Sequence, residues 1–171
     1  MLIVFGGLAG TGKTTLAQRV AAGRSAAYVR IDAIEAAMWR AGVSRGQPTG
    51  LAAYVVAEAI AEGSLRAGTP VVVDAVNPVE AARRGWRELS ARTGAPLHVI
   101  EVVCSDQAEH RLRVEQRQGD IEGFAVPTWA DVVARHYEPW NEPRLVVDTA
   151  GPLTECVRQI EDHLLGVAGA A

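Results

Sequence analysis

One stretch, Val4 to Ala17 (VFGGLAGTGKTTLA), constrains the fold more than any other part of this 171-residue chain. The apolar run Leu2 to Phe5 leads into glycines and threonines, and helix-forming residues follow directly. Residues 7–14 match the pattern GxxxxGK followed by Ser or Thr at every fixed position. The stretch therefore predicts a buried strand, a loop that wraps phosphate groups, and a helix beginning near Lys13.

The residue types in this loop explain how it would bind a nucleotide. Glycines let backbone N–H groups turn inward, and the following helix directs its positive end to the same point. Lys13 supplies a charge for the outer phosphates, and the Thr14 hydroxyl is a ligand for Mg²⁺. We therefore expect ATP and Mg²⁺ as cofactors. The expected nucleotide contacts are Gly7, Leu8, Ala9, Gly10, Thr11, Gly12, Lys13, Thr14 and Thr15.

Strand-like and helix-like segments alternate along the chain, which predicts an α/β fold with one parallel sheet covered by helices on both faces. We treat residues 1–171 as a single domain and expect residues 166–171 to form a disordered tail. Ligands of such sheets bind at the carboxyl ends of the strands. The five predicted strands are Leu2 to Phe5, Ala26 to Ile31, 69–76, Leu97 to Cys104 and Leu145 to Val147.

Composition excludes several classes of protein. A net charge of −3 gives no indication of a nucleic-acid partner, and no apolar run is long enough to cross a membrane. The two cysteines, Cys104 and Cys156, match no zinc or CxxC spacing. We place the start of the first strand at Met1, and we therefore expect no signal peptide and a cytoplasmic protein. No pattern indicates an oligomeric state.

The carboxylates at the strand ends favour phosphate transfer over hydrolysis. The strand VVVD ends in Asp74 followed by Ala75, so the glutamate that would polarise a water molecule is missing. We interpret Asp74 as a Mg²⁺ partner acting through water, with a substrate-orienting or turn role as alternatives. Asp32 follows the second strand and is interpreted as the catalytic base that accepts a proton from a substrate hydroxyl. The alternative for Asp32 is the N-cap of the next helix.

A basic helix is predicted over residues 106–118, with Ser105 as its N-cap. Arg113 and Arg117 share one side of it, and we interpret both as catalytic residues that stabilise the transferring phosphate. Residues 106–140 would form a helical lid, although a solvated charged face remains the alternative. His110 and His136 show no partner and are interpreted as structural or surface residues. The aromatic residues Trp129, Tyr137 and Trp140 either line a substrate pocket or pack internally.

The GxxxxGKT loop, the aspartate after the second strand, the segment VVVDAVNP and the arginine-rich helix together resemble the small P-loop kinases. The similarity is to the predicted kinases grouped under AAA-type ATP-binding domains. Gluconate kinase, chloramphenicol phosphotransferase and the 5′-kinase domain of polynucleotide kinase share this layout. The resemblance implies the strand order 2-3-1-4-5, with Asp32 as base, Lys13 as phosphate clamp, and Arg113 or Arg117 as lid arginine.

These observations lead us to expect an ATP-dependent phosphotransferase that acts on a hydroxyl of a small molecule. A zeta-toxin-like or antibiotic-resistance kinase would differ only in its acceptor, and a nucleotide-binding regulatory module would transfer nothing. Residues 39–67, where such kinases vary, carry no acceptor signature. The arginines Arg40, Arg45 and Arg66 are too few to indicate a nucleic-acid channel.

Overall fold

The structure is a computed structural model that describes residues 1–166. Within these residues, strands and helices alternate from end to end. The strands are β1 (Leu2–Gly6), β2 (Ala27–Arg30), β3 (Val71–Asp74), β4 (Leu97–Val103) and β5 (Leu145–Asp148). The helices are α1 (Lys13–Gly23), α2 (Ile31–Arg40), α3 (Thr49–Arg66), α4 (Glu80–Thr93), α5 (Gln107–Gln116), α6 (Trp129–Ala134) and α7 (Leu153–Gly166).

The five strands form one parallel sheet in the order β2-β3-β1-β4-β5. This order confirms both the predicted α/β class and the order implied by the resemblance. Phe5 at the end of β1 is paired with Asp74 of β3, which is paired in turn with Arg30 of β2. Side chains at the carboxyl ends of β1, β3 and β2 therefore lie at one edge of the sheet.

The two faces of the sheet are covered by different helices. Along β1, Ile3 and Phe5 point to one face and pack against α1 and α7, whereas Leu2 and Val4 point to the other. The second face is covered by α3 and α4, and three fully buried alanines of α3 allow a close approach to the strands. Both faces are buried, which fixes the strands and thereby the loops at their ends.

Several predicted boundaries differ from the structure by a few residues, and two of these differences bear on the candidate site. The strand β2 ends at Arg30 and α2 begins at Ile31, because the buried Ile31 side chain can join the core from the first turn of a helix as well as from a strand. The helix α5 is capped by Asp106 rather than Ser105, since the Asp106 carboxylate accepts a hydrogen bond from the Glu109 backbone N–H.

The predicted disordered tail, residues 166–171, falls almost entirely outside the described residues. Gly166 is the last residue of α7, and 167–171 are not described. No helix within residues 1–166 combines the length and the apolar character that crossing a membrane requires.

Candidate active site

The phosphate-binding loop, residues 7–12, connects β1 to α1 at the centre of the sheet edge. Gly10 has a φ of 83°, a left-handed conformation that other residues rarely adopt. A Cβ atom on Gly7 would lie 2.3 Å from the carbonyl oxygen of Val102, and one on Gly10 would lie 2.4 Å from Cγ2 of Val114. The loop is therefore pressed between β4 and α5, and only glycine fits at both positions.

Lys13 is held by a buried carboxylate. Its Nζ lies 2.9 Å from Oδ1 of Asp74, while the Tyr28 hydroxyl donates a 2.6 Å hydrogen bond to Oδ2. Burial by itself would raise the pKa of Asp74, but the charge of Lys13 and the hydrogen bond from Tyr28 outweigh it and lower that pKa. Burial, followed by the charge of Asp74, raises the pKa of Tyr28, which therefore stays a hydrogen-bond donor. Asp74 is thus ionised and oriented beneath the phosphate loop.

Asp32 is the second residue of α2 and lines the same cavity as Lys13 and Thr14. The N-cap of α2 is Arg30, so the alternative interpretation of Asp32 as an N-cap is wrong. An acidic side chain in the first turn is favoured by the helix dipole. The structure therefore brings the predicted base to the phosphate side of the sheet edge, and the Arg30 side chain at the N-cap makes no capping hydrogen bond.

The two predicted lid arginines lie in different environments. Arg113 donates hydrogen bonds to the hydroxyl and carbonyl oxygens of Thr149, at 2.9 and 3.0 Å, and also pairs with Glu109. The Thr149 hydroxyl in turn donates to the carbonyl oxygen of Thr11 in the phosphate loop, at 2.7 Å. Arg113 therefore stabilises the phosphate loop indirectly, through Thr149. Arg117, just after α5, lines both the cavity and the groove over the phosphate loop.

His110 contacts the phosphate loop, and this contact could not be predicted from the sequence. Its Nε2 lies 2.8 Å from the carbonyl oxygen of Ala9, and the side chain is buried. The ring also packs edge-on against Trp129, with centroids 5.2 Å apart. The interpretation of His110 as a structural residue is confirmed, but it has a partner, and that partner is the phosphate loop.

A cavity opens beside the loop, between α2 and the segment that follows α5. Its wall contains three further carboxylates, Glu35, Asp120 and Asp131, and one further guanidinium, Arg135. Glu35 accepts a 2.7 Å hydrogen bond from Thr49, which fixes its orientation. Apolar side chains complete the wall, namely Leu8, Val76, Ile121, Phe124, Val126, Pro127 and Val132. Such a mixed surface suits a small molecule that carries both polar and apolar groups.

The aromatic residues considered for a pocket wall pack elsewhere. Trp140 lies 4.0 Å beneath the Arg83 guanidinium and donates a hydrogen bond to the Tyr137 hydroxyl. The cavity wall instead includes Phe124, which stacks on Trp39 at 5.5 Å between ring centroids. Phe124 lies in the irregular segment between α5 and α6, where periodicity gives no signal.

The residues present fit a nucleoside triphosphate with Mg²⁺. The loop offers glycine positions that a Cβ would fill, one lysine and the N-terminus of α1, all of which suit phosphate. Among residues 1–166, no group of three or more His, Cys, Asp or Glu is placed to hold a metal. Mg²⁺ needs no such group, since it binds through one or two protein oxygens, phosphate and water. Thr14 and Asp74 are the candidates for those oxygens.

A parallel 2-3-1-4-5 sheet whose central strand leads into this loop defines a protein with a P-loop kinase-like fold. Residues 2–139 match the family model described as AAA domain, and this chain belongs to that family. No protein with a curated description matches it.

Solved structures with the same fold span almost the whole chain. Kti12 from Chaetomium thermophilum, solved in complex with ADP-AlF3, is 20% identical, covers 97% of this chain and 98% of its own, and has a TM-score of 0.73. A gluconokinase from Sinorhizobium meliloti 1021 is 22% identical over 98% of this chain and 93% of its own, with a TM-score of 0.66. The Mycobacterium tuberculosis APS kinase, in complex with AMPPNP and APS, is 20% identical over 95% of this chain and 96% of its own, with a TM-score of 0.67.

Proposed function

We propose that this protein is an ATP-dependent phosphotransferase that transfers the γ-phosphate to a hydroxyl group of a small molecule. The observation that carries the proposal is the cavity in which Asp32 shares a wall with Lys13 and Thr14. A phosphate loop alone would support only nucleotide binding, whereas a carboxylate that lines the same cavity and is not the N-cap of its helix adds a base for an incoming hydroxyl.

In the proposed reaction, the phosphates of ATP lie on residues 7–15, and Lys13 contacts the outer ones. The acceptor hydroxyl oxygen forms a bond to the γ-phosphorus, and the bond from that phosphorus to the bridging oxygen of ADP breaks. Asp32 takes the hydroxyl proton as the new bond forms. Mg²⁺, held at Thr14 and through water at Asp74, would neutralise charge on the phosphates.

The arginines have separate proposed roles, in keeping with their separate environments. Arg117 supplies positive charge to the oxygens of the transferring group from the lid, residues 106–140. Arg113 keeps the phosphate loop in place through Thr149 and adds positive charge behind it. The cavity wall of carboxylates and apolar side chains would hold the acceptor.

Gluconokinase and APS kinase share the fold and, as their names state, phosphorylate small molecules, which supports this reaction class. The similarity is too distant to carry over either acceptor. A zeta-toxin-like or antibiotic-resistance kinase would use the same machinery on a different hydroxyl. A regulatory module that only binds nucleotide is the second candidate, and the test below separates it from a kinase.

The test is transfer of radiolabelled phosphate from γ-labelled ATP to a library of sugars, amino alcohols, nucleosides and hydroxylated antibiotics. We expect one acceptor class to become labelled, and the Asp32→Asn variant to lose at least about 100-fold in rate while still binding ATP. Glu115→Gln, an exposed change on α5, is the control and should transfer at the normal rate. Tight ATP binding without transfer to any acceptor would favour the regulatory module.

A further inference from the structure

One carboxylate joins the sheet to the segment that follows α5. Asp120 contacts the Arg30 guanidinium through two hydrogen bonds, from Nη1 at 2.5 Å and from Nη2 at 3.1 Å. The same carboxylate accepts a hydrogen bond from Nη2 of Arg117 at 3.2 Å. Both arginines contact Oδ1 of Asp120, Arg30 from the end of β2 and Arg117 from just after α5.

The Arg30 end of this triad is rigid. Its side chain is only 8% exposed, and its Nε lies 3.7 Å from the Asp74 carboxylate. That Nε atom has no hydrogen-bond partner in the described part of the chain, so the Asp120 bidentate contact is the principal polar anchor of the guanidinium. A planar guanidinium paired in this way fixes the orientation of its carboxylate.

The Arg117 end faces the phosphate groove. A guanidinium has five N–H donors, and Asp120 uses one of those of Arg117, so others remain for phosphate oxygens. Arg117 and Asp120 both line the groove above the phosphate loop as well as the adjoining cavity. The triad carries a net charge of one positive unit, which is the sign that developing phosphate charge requires.

We propose that Asp120 is a positioning residue that holds Arg117 over the transferring phosphate, with Arg30 as its anchor in the sheet. This inference rests on the proposed function, because it assigns a role within the same site. An arginine on a loop would otherwise have to be ordered at the moment of reaction, at a cost in side-chain entropy. A donor held in place beforehand stabilises transition-state charge without that cost.

The hydrogen bonds from Arg30 lower the pKa of Asp120 to about 2, against the opposing effect of its partial burial. Asp120 therefore stays ionised at any pH at which the protein is assayed. Its side chain is still 49% exposed, so substitution leaves no buried cavity and the fold should survive. These properties make Asp120→Asn a clean test, since it removes the charge and keeps the shape.

The experiment compares two ligands by titration calorimetry: ADP alone, and ADP with Mg²⁺ and aluminium fluoride. The fluoride complex stands in for the transferring phosphoryl group, so only this complex presents the charge that Arg117 would contact. We expect Asp120→Asn to weaken the fluoride complex about 10- to 100-fold and to leave ADP affinity unchanged. Arg117→Gln should do the same, and the double variant should be no worse than either single variant.

The controls separate positioning from a structural role. Glu122→Gln changes an exposed neighbouring carboxylate and should bind both ligands normally. Asp120→Glu keeps the charge and should restore part of the lost affinity. A lower melting temperature for Asp120→Asn with equal losses for both ligands, or no loss for either, would overturn the inference. Absence of ADP binding by the unmodified protein would instead refute the proposed function itself.

Discussion

The ammonium group of Lys13 and the carboxylate of Asp74 form a buried ion pair 2.9 Å long, with side chains 9% and 1% exposed. The loop lysine is thus held by the last residue of β3, next to the point where ATP phosphates would lie. With ATP bound, the phosphates would share the Lys13 ammonium group with Asp74 or replace Asp74 as its partner. The pair therefore connects the sheet to the proposed reaction.

Removing the negative partner should destabilise the fold. Asp74→Asn leaves the Lys13 ammonium buried without a counter-charge, and we expect the free energy of unfolding to fall by about 3 kcal/mol. Urea denaturation of the nucleotide-free protein measures this. The control Glu88→Gln breaks an exposed pair with Arg84 and should cost less than about 0.5 kcal/mol. Equal stability of the two variants would show that the buried pair contributes little.

Lys13 is the only lysine in the chain, which gives a single-site probe of phosphate binding. Protein made with ¹³C-labelled lysine should show one lysine ε-methylene signal in a carbon–proton correlation spectrum. We expect ATP with Mg²⁺ to shift that signal and AMP, which lacks the outer phosphates, to leave it nearly unmoved. A signal that stays in place at saturating ATP would argue against contact between Lys13 and the phosphates.

Two glycines with nearly the same backbone conformation allow the effect of backbone strain on substitution to be separated from the effect of close packing. Gly10 and Gly68 have φ values of 83° and 80°, but only at Gly10 would a Cβ meet a neighbour, namely Val114. Alanine at either position should cost about 1 kcal/mol of stability from the left-handed backbone alone. We expect Gly10→Ala also to abolish ATP binding in titration calorimetry, whereas Gly68→Ala should bind normally. Normal ATP affinity in both variants would mean that the loop tolerates displacement by α5.

His98 should make stability depend on pH below neutrality. Its ring is buried in β4, and desolvation, followed by the charges of His163 and Arg24, lowers the pKa of His98. The unfolded chain, with a pKa of about 6.5, then binds the proton more readily than the folded chain. This stabilisation is complete above pH of about 6.5 and is lost as pH falls from there towards the lowered folded pKa.

The measurement for His98 is urea denaturation between pH 8 and pH 5. We expect His98→Gln to flatten the fall in stability over this range, while His136→Gln, at an exposed position, should leave the curve parallel to that of the unmodified protein. Parallel curves for both variants would show that His98 takes no part.

The phosphate loop and the sheet could be predicted because their signals are local. The spacing of glycines around Lys13 and the alternation of apolar strands with helices need no knowledge of distant residues. The location of Asp32 beside the loop followed from its place after a parallel strand, although the helix starts one residue before it. Its role as a base stays a prediction, as does that of Arg113 and Arg117.

Contacts across long stretches of sequence could not be predicted. Asp120 pairs with a residue 90 positions earlier, and His110 with a carbonyl 101 positions earlier, so neither pair leaves a periodic or motif-like trace. The prediction that Ser105 caps α5 was wrong for a different reason. Ser105 and Asp106 are both good caps, and the Asp148 carboxylate accepts the Ser105 backbone N–H, which helps to place that residue before the helix.

The most direct measurement of the central claim is a crystal structure of the protein with Mg²⁺ and a non-hydrolysable ATP analogue. The account predicts the γ-phosphate against Lys13 and Arg117, with the Asp32 carboxylate facing it across a gap that one hydroxyl group fills. A triphosphate bound away from residues 7–15, or an Asp32 carboxylate turned out of the cavity, would contradict the account.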